Sequence, residues 1–359
     1  MPTRLALALL LPLCLLGIRP SSAAVKASDI VERAVEGFVR PAYANLRDHA
    51  AAQAGAMKTL CAEPSREHLD AARDRFSGLV EAWSAAEIIR FGPITEDNRL
   101  ERMLFWPDRK GIGLRQVQAT LAAKDPVAID AAGIAKKSVA MQGLGALEFV
   151  LYGTGADELS VAGDPYRCAY GAAVAGNIEQ ISADVSQAWE KADGFAALWG
   201  APGPDNALYR DGNEAVTELA GVFINGLELV RDVRVKGFLG NHPEDDRSRQ
   251  AIYWRSGLTG QSLAANLSGM DELFQASKLG EALPDEQRWI AESIHIQLAN
   301  GAAAAKDAAG PIDEVLADPK RRDRLDYYRL VTSSLSNLFG TRLTAAFGLT
   351  AGFSSLDGD

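Results

Sequence analysis

Apolar residues recur at every third and fourth position along most of this chain, while strict alternation is scarce, so the pattern predicts helices throughout and no sheet. Ser28 caps a first predicted segment whose Ile30, Val31, Ala34, Val35, Phe38 and Val39 form one stripe, with Pro41 expected to bend or interrupt it. A second helix is predicted from Ser65 to Arg90, with Leu69, Phe76, Leu79, Val80 and Trp83 on one face, ending at Gly92-Pro93. After a polar, aromatic loop from Ile94 to Gly113, helices are predicted near Leu114 to Ala123, Ile134 to Tyr152 and Pro165 to Trp189. The stretch from Gly194 to Gly212, rich in Gly and Pro, reads as a linker. Beyond it the pattern predicts helices near Glu214 to Lys236, Gly260 to Phe274, Asp285 to Ala308, Ile312 to Leu316 and Arg321 to Phe339.

The first 24 residues break this pattern. Arg4 precedes the apolar run Leu5 to Ile18, which is followed by Pro20-Ser21-Ser22-Ala23-Ala24, the order of an export signal with its cleavage site. The run is shorter than the roughly 20 residues that span a bilayer, and nothing comparable follows, so no transmembrane segment is expected after cleavage. The expected location is the periplasm or the outer-membrane face. Removing Arg4 and Arg19 takes the formal charge from −10 to −12, an acidic balance that argues against nucleic acid as a partner. Of the three cysteines, Cys14 would leave with the signal, and in an oxidising compartment Cys61 and Cys168 are expected to form a disulfide.

The remaining length exceeds what one core usually supports, so the reading is a signal at 1–24 and two helical bundles, 25–200 and 201–359. A faint internal repeat supports the division. Glu87-Ile88-Ile89-Arg90 resembles Glu228-Leu229-Val230-Arg231, and Arg99, Phe105-Trp106 and Gly111-Ile112-Gly113 resemble Arg247, Tyr253-Trp254 and Gly257 to Gly260. The fold class expected is all-α, two bundles related by an approximate two-fold, with any shared site near their interface.

Three placements of charge carry candidate chemistry. Glu148 is the only charged residue between Met141 and Gly155 and has apolar helical neighbours, so its carboxylate must be paired, metal-bound or protonated; Gly145 would leave space beside it. Glu87 follows Trp83 on an apolar face and has Arg90 three residues on, which allows an in-helix pair or a ligand-facing carboxylate. The loop that holds Arg99, Trp106 and Asp108 is dense in aromatic and charged groups, as binding loops are.

At these residues the chain resembles the imelysin family, bacterial exported proteins with a peptidase label and associations with iron. The resemblance is carried by Arg90-Phe91-Gly92-Pro93, Phe105-Trp106-Pro107-Asp108, Gln142 to Phe149, Arg167-Cys168-Ala169-Tyr170 and the tail Gly352 to Asp359. It implies two helix bundles packed side by side and a Gly-x-His-x-x-Glu motif whose imidazole and carboxylate suit one metal ion. Here Gly143 and Glu148 match, but Gly145 stands where the histidine is expected. His295 is the only candidate for a substitute metal ligand.

A peptidase would need an open metal site and a base, and no HExxH or Gly-x-Ser-x-Gly signature is present. The expectation is therefore a non-catalytic binding protein of bacterial iron uptake. Glu148 and Glu87 would offer hard oxygen ligands to iron or another cation, Arg90 and Arg99 would neutralise them or hold a small anionic chelate, and Trp106 and Asp108 would shape the mouth. An outer-membrane or periplasmic protein partner fits the same role. A metallopeptidase, or a helical module binding a polymer or protein without metal, are the alternatives.

Overall fold

The computed structural model of the protein describes residues 26–161 and 163–349, so the expected signal and the Gly352 to Asp359 tail lie outside the described residues. Every regular element among the described residues is helical. Helix α1 (Ala27–Ala34) continues through a π-helical turn, Val35–Val39, into α2 (Arg40–Ala62). The helix is not interrupted at Pro41. The backbone N–H of Arg40 bonds to Val35 O, five residues back, and this widened register precedes a residue that could not have made the ordinary bond.

Ser65 caps α3 (Arg66–Ala86) by accepting a hydrogen bond from the His68 N–H at 3.1 Å. The helix stops four residues short of the predicted end. After α4 (Ile112–Ala123), the segment expected as one helix from Ile134 is instead broken into Ala131–Ile134, a 3-10 turn at Val139–Met141, and α5 (Gly143–Tyr152). Gly143 explains the break: it adopts φ +73°, and a Cβ there would lie 2.3 Å from the Met103 carbonyl oxygen.

Helix α6 (Pro165–Glu190) completes the first group, packing against α2 and α5, while α3 packs on α2. The second group contains α7 (Gly212–Glu228), α8 (Thr259–Ser277), α9 (Trp289–Asp307) and α10 (Pro319–Asn337), with α8 on α9, α9 on α10, and α7 on α10. Helix α1 packs against α7 and α8, and α3 against α8 joins the two groups. The stretch read as a linker is partly helical and docked. Phe195–Gly200 forms a short helix whose Trp199 is fully buried and donates from Nε1 to Ala215 O at 2.9 Å, and Phe91, Trp189, Phe195 and Trp199 pack edge-to-face or tilted at ring-centroid distances of 5.0 to 6.1 Å.

Cys61 and Cys168 are joined in a disulfide that ties the last turn of α2 to the first turn of α6. Beside it, the Arg167 guanidinium donates to the carbonyls of Val150, Phe149 and Thr154 at 3.0, 2.7 and 2.8 Å. Val150 and Phe149 lie in the last turn of α5 and Thr154 just beyond it, so Arg167 caps the end of α5 close to Glu148.

Candidate functional site

One cavity of about 970 Å³ opens where loops from both halves of the chain meet. Its walls come from Leu104 to Arg109 and the start of α4, from the face of α5 that carries Gly145, Glu148 and Tyr152, and from Arg249 to Arg255. Val233 also reaches it from a π-helical turn, Leu229–Val235, a local widening often found at functional sites. The aromatic segments related by the sequence repeat, Phe105-Trp106 and Tyr253-Trp254, thus line one space.

Glu148 lies in this wall and is only 4% exposed. Its Oε1 accepts from the Ser256 backbone N–H at 3.0 Å and from Ser256 Oγ at 2.8 Å, and its Oε2 is 4.0 Å from Arg255 Nη1. Burial raises the carboxyl above the ordinary glutamate value, and the two Ser256 bonds and the Arg255 charge oppose that shift without cancelling it. Ser256 is held by its own turn: Ser256 Oγ also lies 3.1 Å from Tyr253 O, and Thr259 Oγ1 donates to Ile252 O at 2.6 Å. Tyr253, inside that turn, has the left-handed φ of 54°, uncommon for a bulky residue.

The position three residues before Glu148 is open: a Cβ built on Gly145 meets nothing within 4 Å. Where the motif expects an imidazole, this chain therefore has empty cavity beside a buried carboxylate.

The raised Glu148 value has a consequence for stability. A carboxyl whose folded pKa exceeds its unfolded one binds more protons in the native state, so stability falls as pH rises from the ordinary glutamate range through the folded value. Glu148→Gln should remove that slope, at most about 1.4 kcal/mol per pH unit. Urea midpoints across this window check it; parallel pH profiles for the two proteins would contradict the assignment.

Trp106 and Asp108 line the same cavity. Asp108 is also a helix cap: its carboxylate accepts from the N–H groups of Ile112, Gly113 and Leu114 at 2.6, 2.9 and 3.3 Å. The other candidates lie elsewhere. Arg99 ties its own loop together, donating to Pro93 O at 2.8 Å and Glu96 Oε2 at 2.9 Å. Arg90 is exposed, outside the cavity lining.

Glu87 is buried with Arg234, whose Nη2 lies 2.5 Å from Glu87 Oε2, while Asn266 Nδ2 donates to Oε1 at 2.9 Å. It pairs across the two groups of helices and faces no part of the cavity lining. His295 stands on α9 with Nδ1 2.8 Å from Asp271 Oδ1, also away from the cavity.

These placements bear on the metal expectation. Glu148 faces a serine donor and a guanidinium, Asp108 is occupied by backbone N–H groups, and no histidine or cysteine lines the cavity. Among the described residues, no group of three or more His, Cys, Asp or Glu is arranged to hold a metal ion. The donor set of this cavity does not fit an ion held directly by its lining residues.

The sequence profile of the imelysin family, labelled as a peptidase family, matches residues 39–338. The chain belongs to the imelysin family. Its helical architecture is shared with the crystal structure of an imelysin-like protein from Psychrobacter arcticum 273-4, at 20% identity and a TM-score of 0.72, covering 92% of this chain and 98% of that one. A putative iron-regulated protein A precursor from Parabacteroides distasonis ATCC 8503 has the same fold at 14% identity and a TM-score of 0.71, covering 91% and 97%. No curated protein matches. At such identities the imelysin fold is what is shared; the cavity chemistry has to be read from this chain.

The sequence reading missed the cavity residues Arg249, Tyr253, Trp254 and Arg255, and Ser256, which holds Glu148. A signal for two of them was present. The repeat pairs Phe105-Trp106 with Tyr253-Trp254, so extending the candidate loop of the first half to its counterpart would have reached the second wall. Ser256 had no such signal, because its part depends on a turn that brings it to a helix 108 residues earlier.

Proposed function

We propose that this imelysin-family chain is an exported, non-catalytic binding protein of bacterial iron acquisition, acting in the periplasm or at the outer-membrane face, and that iron reaches its cavity as part of a ligand. The single observation carrying this reading is the state of Glu148. It is buried, bonded to Ser256 and faced by Arg255, with open space where the motif imidazole would stand. Such a site lacks the second ligand and the open metal position that hydrolysis by a metallopeptidase needs.

Export is supported by the signal-like pattern of residues 1–24 and by the Cys61–Cys168 disulfide, since such bonds persist in oxidising compartments. No helix among the described residues is long and apolar enough to cross a membrane. The iron association is supported by the name of the Parabacteroides distasonis neighbour.

A deletion strain grown with scarce and with ample iron tests the role. Slower growth confined to scarcity, restored by the wild-type gene, is expected; equal growth in both media would overturn it. Purified protein incubated with unfolded chains, with and without chelator, tests the non-catalytic part. Chelator-sensitive cleavage that is lost in Glu148→Gln would replace this reading with the peptidase one.

A further inference from the structure

The cavity has a chemical character that neither the family nor the iron role specifies. The chain as a whole carries a net charge of −10, yet Arg109, Arg249 and Arg255 all line this one cavity. Two of the carboxylates facing them are engaged, Asp108 by helix N–H groups and Glu148 by Ser256, which leaves Asp313 as the remaining acidic lining residue. Neither Arg109 nor Arg249 forms an ion pair among the described residues. Arg255 has only the long 4.0 Å contact with Glu148, so its forked N–H donors remain available to an incoming oxyanion.

The guanidinium groups are also arranged around an aromatic plane. Arg255 lies 4.4 Å from the Trp254 ring centroid and 5.6 Å from that of Phe149, and Arg249 lies 5.8 Å from Trp254. Trp106 and Phe105 line the same cavity, so it offers flat apolar faces together with cations. Burial lowers the Arg255 pKa, with the Glu148 charge opposing, a sign that Arg255 pays for desolvation that a second anion would offset.

One further group narrows the ligand. Glu148 Oε2 keeps acceptor capacity next to the open space over Gly145. The site thus presents guanidinium donors to an anion, one carboxylate acceptor to a hydroxyl, and aromatic faces to a planar body.

We infer that the cavity binds a hydroxylated aromatic carboxylate, with Arg255 and Arg249 on the carboxylate, Trp254 and Trp106 against the ring, and Glu148 accepting from a ring hydroxyl. This names the ligand class for the proposed binding role and rests on that reading only for the link to iron, since vicinal ring hydroxyls chelate the ferric ion. A volume of about 970 Å³ holds such a molecule with room for a larger conjugate.

Titration of the purified protein with 2,3-dihydroxybenzoate, read by calorimetry and by quenching of tryptophan fluorescence, tests the inference, with citrate as a non-aromatic anion and catechol as an aromatic molecule without the carboxylate. Binding of 2,3-dihydroxybenzoate at least about tenfold tighter than either control is expected, a difference of about 1.4 kcal/mol. Arg255→Gln should weaken it at least tenfold, and so should Arg249→Gln, which replaces an exposed residue and leaves folding intact if Arg255→Gln does not.

Citrate binding equally well, catechol binding equally well, no binding of 2,3-dihydroxybenzoate, or unchanged affinity in folded Arg249→Gln would each overturn the inference. Failure here with growth still slowed by iron scarcity in the deletion strain would leave the iron role standing without this ligand. Binding with no growth defect would retain the ligand and remove the iron role.

Discussion

Replacing Arg234 by leucine is expected to destabilise the protein by roughly 3–5 kcal/mol, because it strands a buried carboxylate. Glu87 and Arg234 are each 1% exposed, and they meet between α3 and the π-helical turn Leu229–Val235. Around them Arg234 Nη1 donates to Asn266 Oδ1 at 2.6 Å, Asn266 Nδ2 donates to Ser84 O at 2.6 Å, and the Ser84 and Ser262 hydroxyls are 2.7 Å apart. Each polar group thus depends on its neighbours, and removing the cation leaves Glu87 with a single amide donor.

The paired replacement Glu87→Leu, Arg234→Leu should recover most of the loss, since no charge is then left buried alone. Urea unfolding of the wild type, both single variants and the double variant measures the four corners of this cycle. A cost below about 1 kcal/mol for Arg234→Leu, the range of an exposed pair, would show that water reaches the network in solution.

That pair also shows where the sequence was legible and where it was not. The periodicity of apolar residues located the helices, and the expectation of an all-α fold of imelysin type holds. Local pattern also identified Glu87 as a carboxylate that needed a partner, but the only partner within its reach was Arg90, three residues away. The actual partner lies 147 residues further on, beyond any periodicity argument. Glu148 posed the same question, and its answer, Ser256 with Arg255, was equally remote.

Trp106, Asp108 and Glu148 do come together at one cavity, because two of them share a loop and the third lies on the helix that Gly143 seats against that loop. Arg90, Arg99 and His295 stand apart, since charge density along a sequence does not distinguish a side chain that ties its own loop from one that faces a cleft. Breaks in helices were the least legible feature. Gly143 falls inside the helix predicted from Ile134 to Tyr152, and only its close approach to the backbone at Arg102 and Met103 makes it a terminus.

Removing the Cys61–Cys168 bond should cost about 2–5 kcal/mol, a large effect from a change that touches no charge. The two cysteines are 107 residues apart, so the bond closes a long loop and restricts the unfolded chain far more than the folded one. Its loss should therefore lower the urea midpoint of the Cys61→Ala, Cys168→Ala variant and steepen its transition, since the uncrosslinked unfolded state exposes more surface. The folded structure should barely change, because α2 and α6 pack along their length and Arg167 caps α5 through its own hydrogen bonds.

Ligand affinity of the folded variant should therefore match that of the wild type even as the midpoint falls. Identical midpoints would mean that the bond does not form in solution, and the support it lends to export would go with it. A lower midpoint together with lost affinity would instead mean that the disulfide holds Glu148 in place, which the Arg167 contacts argue against.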